Sequence, residues 1–172
     1  MTSREESAGA YGEAVQYMER TREYYAAQGF EQSYRWARHD AAPFQTLTKP
    51  LAESRLVLIT TANEPAPEGW RPGERRPPRR VHSVERTAPP EGFYTDDLSW
   101  HKEATHTDDL SSYFPLAHLE ALVDEGRLGN LTTRMHGIPT EYSQRRTLAS
   151  DAPEVLRRCR EDGADVALLV PL

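Results

Sequence analysis

The sequence predicts an α/β fold with a partial, open, mostly parallel sheet, flanking helices and a Pro/Arg-rich loop. Two short, continuous apolar runs carry that prediction: Arg55–Thr61 (RLVLITT) and Asp165–Val170 (DVALLV). Runs of this kind, rich in β-branched residues, mark strands covered on both faces, as in a parallel sheet. Amphipathic helical stretches lie between them, and a strand-helix-strand order calls for a right-handed crossover. The expected organisation is one α/β domain over residues 1–172, incomplete at its C-terminus, with residues 64–92 as a flexible insertion.

In chain order, the first helix is expected from about Ala10 to Gln28. Tyr11, Val15, Met18 and Tyr25 fall on one stripe, and Gly29 is placed to end the helix with a left-handed cap. The aromatic group Tyr24, Tyr25, Phe30, Tyr34 and Trp36 reads as structural packing, because aromatic rings dominate cores by area. Pro50 then provides a break before the first strand. The loop after that strand, Thr60–Asn63, would sit at its carboxyl end, where open α/β sheets bind their ligands.

Residues 64–92 change character. Pro65, Pro67, Pro72, Pro77, Pro78, Pro89 and Pro90 lie here with Arg71, Arg75, Arg76, Arg79, Arg80 and Arg86. Proline at this density excludes a regular helix or a central strand and predicts an extended insertion.

Tyr94–Gly137 follows, the stretch on which chemistry is expected. It contains Asp96-Asp97, His101, His106, Asp108-Asp109 and His136. Imidazole and carboxylate together suit proton transfer, substrate binding or a hard-metal site. The spacing H-x4-H-x-D-D matches no specific metal motif and lacks the i, i+4 placement of two ligands on one helix. His101, His106, Asp108, Asp109 and His136 are therefore candidate pocket residues, with no metal or cofactor site assigned. The competing reading of some of them is structural, with Asp108 or Thr107 capping a short turn.

A helix from about Pro115 to Glu125 is expected next, with Leu116, Leu119, Leu122 and Val123 on its apolar face and Gly126 as a stop. Residues 127–149 show no long periodic element; short strands or irregular chain are expected around Leu128–Leu131, then a loop through His136–Pro139. The last helix is expected to start at Asp151, with Glu154 completing a capping box, and to end at Gly163. Cys159, the only cysteine, falls mid-helix on the packing side and reads as a structural thiol.

Composition narrows the function classes. A net charge of -6 and a sequence pI near 5.5 argue against a general nucleic-acid binder, which needs a basic face. With a mean hydropathy of -0.76, the chain offers no apolar run near the roughly 20 residues that span a bilayer. The polar, acidic N-terminus is unlike a secretion signal. A cytoplasmic protein that binds neither membrane nor nucleic acid is expected.

Several segments together resemble one bacterial family. They are Tyr17–Arg22 (YMERTR), Tyr34-Arg-Trp36, Lys49–Arg55 (KPLAESR) with the strand to Thr61, Tyr94–Ser99 (YTDDLS), His106–Leu110 (HTDDL), Tyr113–Leu116 (YFPL) and His136-Gly137. These segments resemble the selenoprotein B group of the glycine/sarcosine/betaine reductases and the related D-proline reductase subunit, most of all its shorter reductase-like members. The likeness spans nearly all of the chain except the Pro/Arg segment. It implies an oxidoreductase subunit acting on a small amino-acid-like substrate, with reductase partner subunits, one of which carries a pyruvoyl group. In the glycine-type enzymes a selenocysteine attacks the substrate α-carbon, displaces the amine and leaves a selenoether. The resemblance places the redox selenocysteine or cysteine after the strand matching Val166–Leu172, so the nucleophile is expected beyond Leu172. The corresponding expectation is truncation at a UGA codon, leaving an inactive chain that lacks its nucleophile and binds no cofactor. Two alternatives stand beside it: a metal-assisted hydrolase or lyase using the His/Asp stretch 96–136, and a non-catalytic binding domain.

Overall fold

The computed structural model describes residues 16–32, 38–42, 44–65, 79–95, 106–140 and 143–172. By its internal contacts the chain divides into two compact units, Met1–Ala42 and Pro43–Leu172.

In the first unit, helix α1 spans Tyr17–Ala27 and ends at Gly29, whose φ of 85° is the left-handed conformation expected of a glycine stop. No residue of α1 is buried. Tyr24, Tyr25 and Phe30 meet edge to face, at centroid distances of 5.6 and 5.7 Å. The expected packed stripe is therefore not formed at its described positions, for Met18 and Tyr25 are 45% and 41% exposed. Tyr11, Val15, Tyr34 and Trp36 lie outside the described residues.

The second unit is an α/β fold with an open, mixed and mostly parallel sheet. Strand β1 (Arg55–Thr60) is its centre. Strand β5 (Val166–Val170) runs parallel to it on one side, in register from Leu56↔Val166 to Thr60↔Val170. On the other side, β3 (Asn130–Leu131) and β4 (Arg134–Gly137) pair in parallel with successive halves of β1. Arg55 faces Asn130 and Ile59 faces His136, so four steps along β1 match six along its neighbour. The two extra residues, Thr132 and Thr133, form a bulge in what is otherwise one strand. Thr132 stabilises that bulge, its amide and hydroxyl reaching the Leu56 and Arg134 carbonyls at 3.0 and 2.7 Å. Strand β2 (His82–Glu85) is antiparallel to β4 and forms the far edge.

Helices cover both faces. Helix α2 (Leu116–Asp124) lies over Leu56, Leu58, Leu131 and Met135, together with Phe93, Tyr113 and Phe114. On the opposite face Val57, Ile59 and Ile138 meet Val155 and Cys159 of helix α4 (Ala152–Glu161). This alternation along β1 is what a strand buried on both sides requires.

Four expectations need correction. Part of the segment 64–92 is regular, because β2 forms within it. A proline-free stretch at a sheet edge can pair on one side, which is all β2 does. His136 lies in β4 rather than in a loop, since backbone pairing with β1 and β2 overrides the weak local pattern. The last helix starts earlier: α3 (Gln144–Arg146), capped by the Ser143 hydroxyl, leads through a wide π-type turn at Thr147–Asp151 into α4. Asp151 is itself helical and caps nothing. Pro153 has no N–H for an i→i−4 bond, and a widened turn just ahead of it accommodates that loss. Finally, β5 is a strand but not a buried one, with Leu168 37% and Leu169 66% exposed. Its only strand partner among the described residues is β1.

Candidate functional site

The parallel register brings the carboxyl ends of β1, β4 and β5, at Thr60, Gly137 and Val170, to one edge of the sheet. β2 is antiparallel, so it contributes its first residue, His82, to the same edge, opposite Gly137. Polar side chains buried here include Thr60, Asn63, His82 and Thr95. The chain segments around them are joined to each other. Asn63 bridges Tyr94, the Thr140 hydroxyl donates to the Thr61 carbonyl at 3.1 Å, and the Leu172 amide donates to the Thr61 hydroxyl at 2.8 Å. Outside this group, Arg80 makes a two-bond pair with Glu64, at 3.0 and 3.1 Å.

His82 and Gly137 fit each other closely. A Cβ on Gly137 would lie 2.7 Å from His82 Nδ1 and nearer still to Cε1 and Nε2, so the absence of a side chain there is what admits the ring. Burial pushes the His82 imidazole below its ordinary value, outweighing the nearby Glu64 carboxylate and keeping the ring neutral near pH 7. Its Nδ1 lies 3.5 Å from the Arg80 carbonyl, and its Nε2 is buried with no hydrogen-bond partner among the described residues.

Adjacent residues of a strand face opposite ways, so Ser83 points to the α4 side of the sheet. There it meets His136, directly across the β2–β4 pair, at 2.9 Å from Oγ to Nδ1. Arg158 of α4 donates to the same Ser83 oxygen at 2.9 Å. The serine hydroxyl keeps both a proton and a second lone pair for His136 Nδ1, so this contact is compatible with either imidazole tautomer. Nε2 stands 3.1 Å from Asp162 Oδ2, close enough for an ion pair but not aligned as a hydrogen bond. The other Asp162 oxygen accepts from Arg134 at 2.6 Å. Burial again lowers the His136 pKa, against the pull of Asp162. The set forms a buried relay from half-exposed Ser83 to Asp162, tying β2 and β4 to the end of α4.

The other candidates from the sequence lie elsewhere. His106 and Asp108 are 72% and 88% exposed and pair with each other at 3.2 Å. Asp109 caps the 3-10 turn Leu110–Ser112 by accepting from the Ser111 amide at 2.9 Å. His101 lies outside the described residues. Among the described residues no three His, Cys, Asp or Glu side chains come together as a metal donor set. Cys159 is buried, and burial, with the nearby Asp162 carboxylate, raises its thiol pKa, the condition of an unreactive thiol.

Two clefts open at the amino ends of the strands, one of about 320 Å³ beside Arg55, Glu85, Asn130 and Asp162, the other about 370 Å³ beside Lys49, Gly129 and Asp165. Of the charged groups beside them, Lys49 pairs with Asp165 at 2.7 Å and Asp162 with Arg134.

His82 and Ser83 were not singled out from the sequence, because both fall in the segment set aside as an insertion. The signal was the change inside it: Val81-His-Ser-Val84 has β-branched residues and no proline, unlike the chain just before it. No helix among the described residues is long and apolar enough to cross a membrane. Comparison with family models, with curated proteins and with solved structures found no match.

Proposed function

We propose that this chain is the substrate-side part of a selenol- or thiol-dependent reductase that acts on a small amino-acid-like substrate, as its likeness to the selenoprotein B group implies. The observation that carries the proposal is the common edge formed by Thr60, Gly137 and Val170. The redox residue that the resemblance places after β5 would enter at the edge where Asn63, His82 and Thr95 are buried. That is also the edge at which open parallel sheets bind ligands. In the reaction a selenolate or thiolate attacks the substrate α-carbon. A C–Se or C–S bond forms as the C–N bond breaks, the bonding pair leaves with the amine, and a partner component accepts the resulting selenoether or thioether. A low-pKa nucleophile is suited to this step because it is ionised at neutral pH.

The test is the nucleotide sequence through the Leu172 codon. A UGA or cysteine codon followed in frame by a further helix and strands supports the reductase reading. A frame holding neither selenocysteine nor cysteine removes the nucleophile and overturns it.

A further inference from the structure

We propose that Ser83, His136 and Asp162 are a nucleophile, its general base and the carboxylate that orients the base, and that together they transfer the acyl group of a small carboxylic ester to water. This is an activity beyond the reductase reading and does not rest on it.

Strand pairing sets the first contact. Ser83 and His136 are directly opposed in the β2–β4 ladder, so their side chains stand on the same face of the sheet. Ser83 Oγ lies 2.9 Å from His136 Nδ1, within the reach that a general base needs. Asp162, the C-cap residue of α4, brings Oδ2 to 3.1 Å from the other ring nitrogen, Nε2. A lone pair on Nε2 would face that carboxylate oxygen and be repelled, whereas a proton there is attracted. The carboxylate therefore selects the tautomer with its N–H on Nε2, and Nδ1 is left to accept the serine proton. His136 is fully buried, which fixes its ring and keeps it neutral near pH 7, the state a base requires.

Arg158 completes the arrangement. Its Nη1 donates to Ser83 Oγ at 2.9 Å, and its Nε is held by Glu154 at 2.7 Å. A cation beside the oxygen favours negative charge as it develops there, and the guanidinium has further N–H groups for a carbonyl oxygen becoming an oxyanion. Ser83 is only half-buried, on the outermost strand of the sheet, while the side chains of His136 and Asp162 are enclosed. Solvent thus meets the relay at its serine end, and a small ester is the class that suits an open approach to an enclosed base. In the reaction Oγ bonds to the ester carbon, its proton passes to Nδ1 and the carbonyl π pair moves onto oxygen. That pair then returns, the C–O bond to the alcohol breaks, and the alcohol leaves with the proton from Nδ1. Water repeats the sequence on the acyl-serine, which releases the acid and restores Ser83.

The experiment treats the full chain with diisopropyl fluorophosphate, which records the first half of the reaction. Oγ bonds to phosphorus, fluoride leaves with the P–F pair, and the serine proton goes to His136. Peptide mapping by mass spectrometry should find the label on Ser83, formed about a hundredfold faster in the native chain than in chain unfolded by guanidinium. p-Nitrophenyl acetate should be turned over, and Ser83→Ala should abolish both reactions with its circular dichroism unchanged. Asp162 acts through His136, so its role is read on the ring. Long-range ¹H–¹⁵N NMR should show His136 Nε2 protonated and Nδ1 not, and Asp162→Asn should mix the two tautomers and slow labelling about tenfold. Three results on the wild type overturn the proposal without any variant needing to fold: label only on residues other than Ser83, no rate advantage of native over unfolded chain, or the His136 proton on Nδ1. Label on Ser83 without turnover of the ester would overturn the transfer to water.

Discussion

Replacing Gly137 by alanine probes the tightest contact in the candidate site. The new Cβ would lie 2.7 Å from His82 Nδ1 and closer to the other edge atoms of the ring, well inside van der Waals contact. The ring has little room to retreat, because His82 is 5% exposed and Phe93 packs nearby. Overpacking of this kind costs about 1–3 kcal/mol. For a chain of this size that lowers Tm by roughly 2–12 °C. Urea denaturation of the wild type, Gly137→Ala, His82→Ala and the double variant gives the coupling. Removing the ring should relieve the clash, so Gly137→Ala should cost at least 1 kcal/mol less, to about that precision, in the His82→Ala background. Equal costs in the two backgrounds would refute the account of why residue 137 is glycine.

Further outcomes follow from the same structure. His82 and His136 both have pKa values lowered by burial from the ordinary 6.5, so between the folded and unfolded values the unfolded chain holds more protons. Their stabilising contribution is complete above that ordinary value and is lost as pH falls through the folded values, by up to about 1.4 kcal/mol per pH unit for each ring. Denaturation midpoints measured from pH 8 to 5 should show this slope, and His136→Asn should flatten it. Asp162→Asn removes the charge that Arg134 and His136 share and should cost about 1.5–3 kcal/mol by chemical denaturation; a neutral effect would mean the relay contributes nothing to joining α4 and the sheet. Cys159 should react with a thiol reagent slowly in the native chain and fast in denaturant, and rapid native labelling would contradict its burial. Leu169→Asp, at a position 66% exposed, should change stability by less than about 0.5 kcal/mol. Loss of folding in that variant would show that something covers β5.

The local elements were legible wherever one segment's own chemistry decides them. The apolar run around Val57, short and rich in β-branched residues, read as a strand covered twice, and the stripe Leu116–Leu119–Leu122–Val123 specified α2 together with its buried face. Cys159 was placed correctly because α4 is strongly amphipathic, so its packing side can be read from spacing. Burial of β5 was not legible: the pattern of Val166–Val170 states that a strand is apolar, while its cover depends on what else reaches it. Pairing was hidden for the same reason. β2 and β4 are four residues each, too short for periodicity, and their strand character comes from hydrogen bonds to segments distant in sequence.

The candidate site shows this division most clearly. Composition marked His106, Asp108 and Asp109 as dense in ionisable groups, but density in sequence is also what a solvated turn looks like, and those residues are exposed. Sequence alone determined the fold class, two strands and three helices, because these follow from the pattern of apolar side chains and helix stops along single segments. Only the tertiary structure decided that His82 lies over Gly137 and that Ser83, His136 and Asp162 meet beneath α4. Strand register sets those meetings, and register is a property of pairs of segments that no single stretch of chain contains.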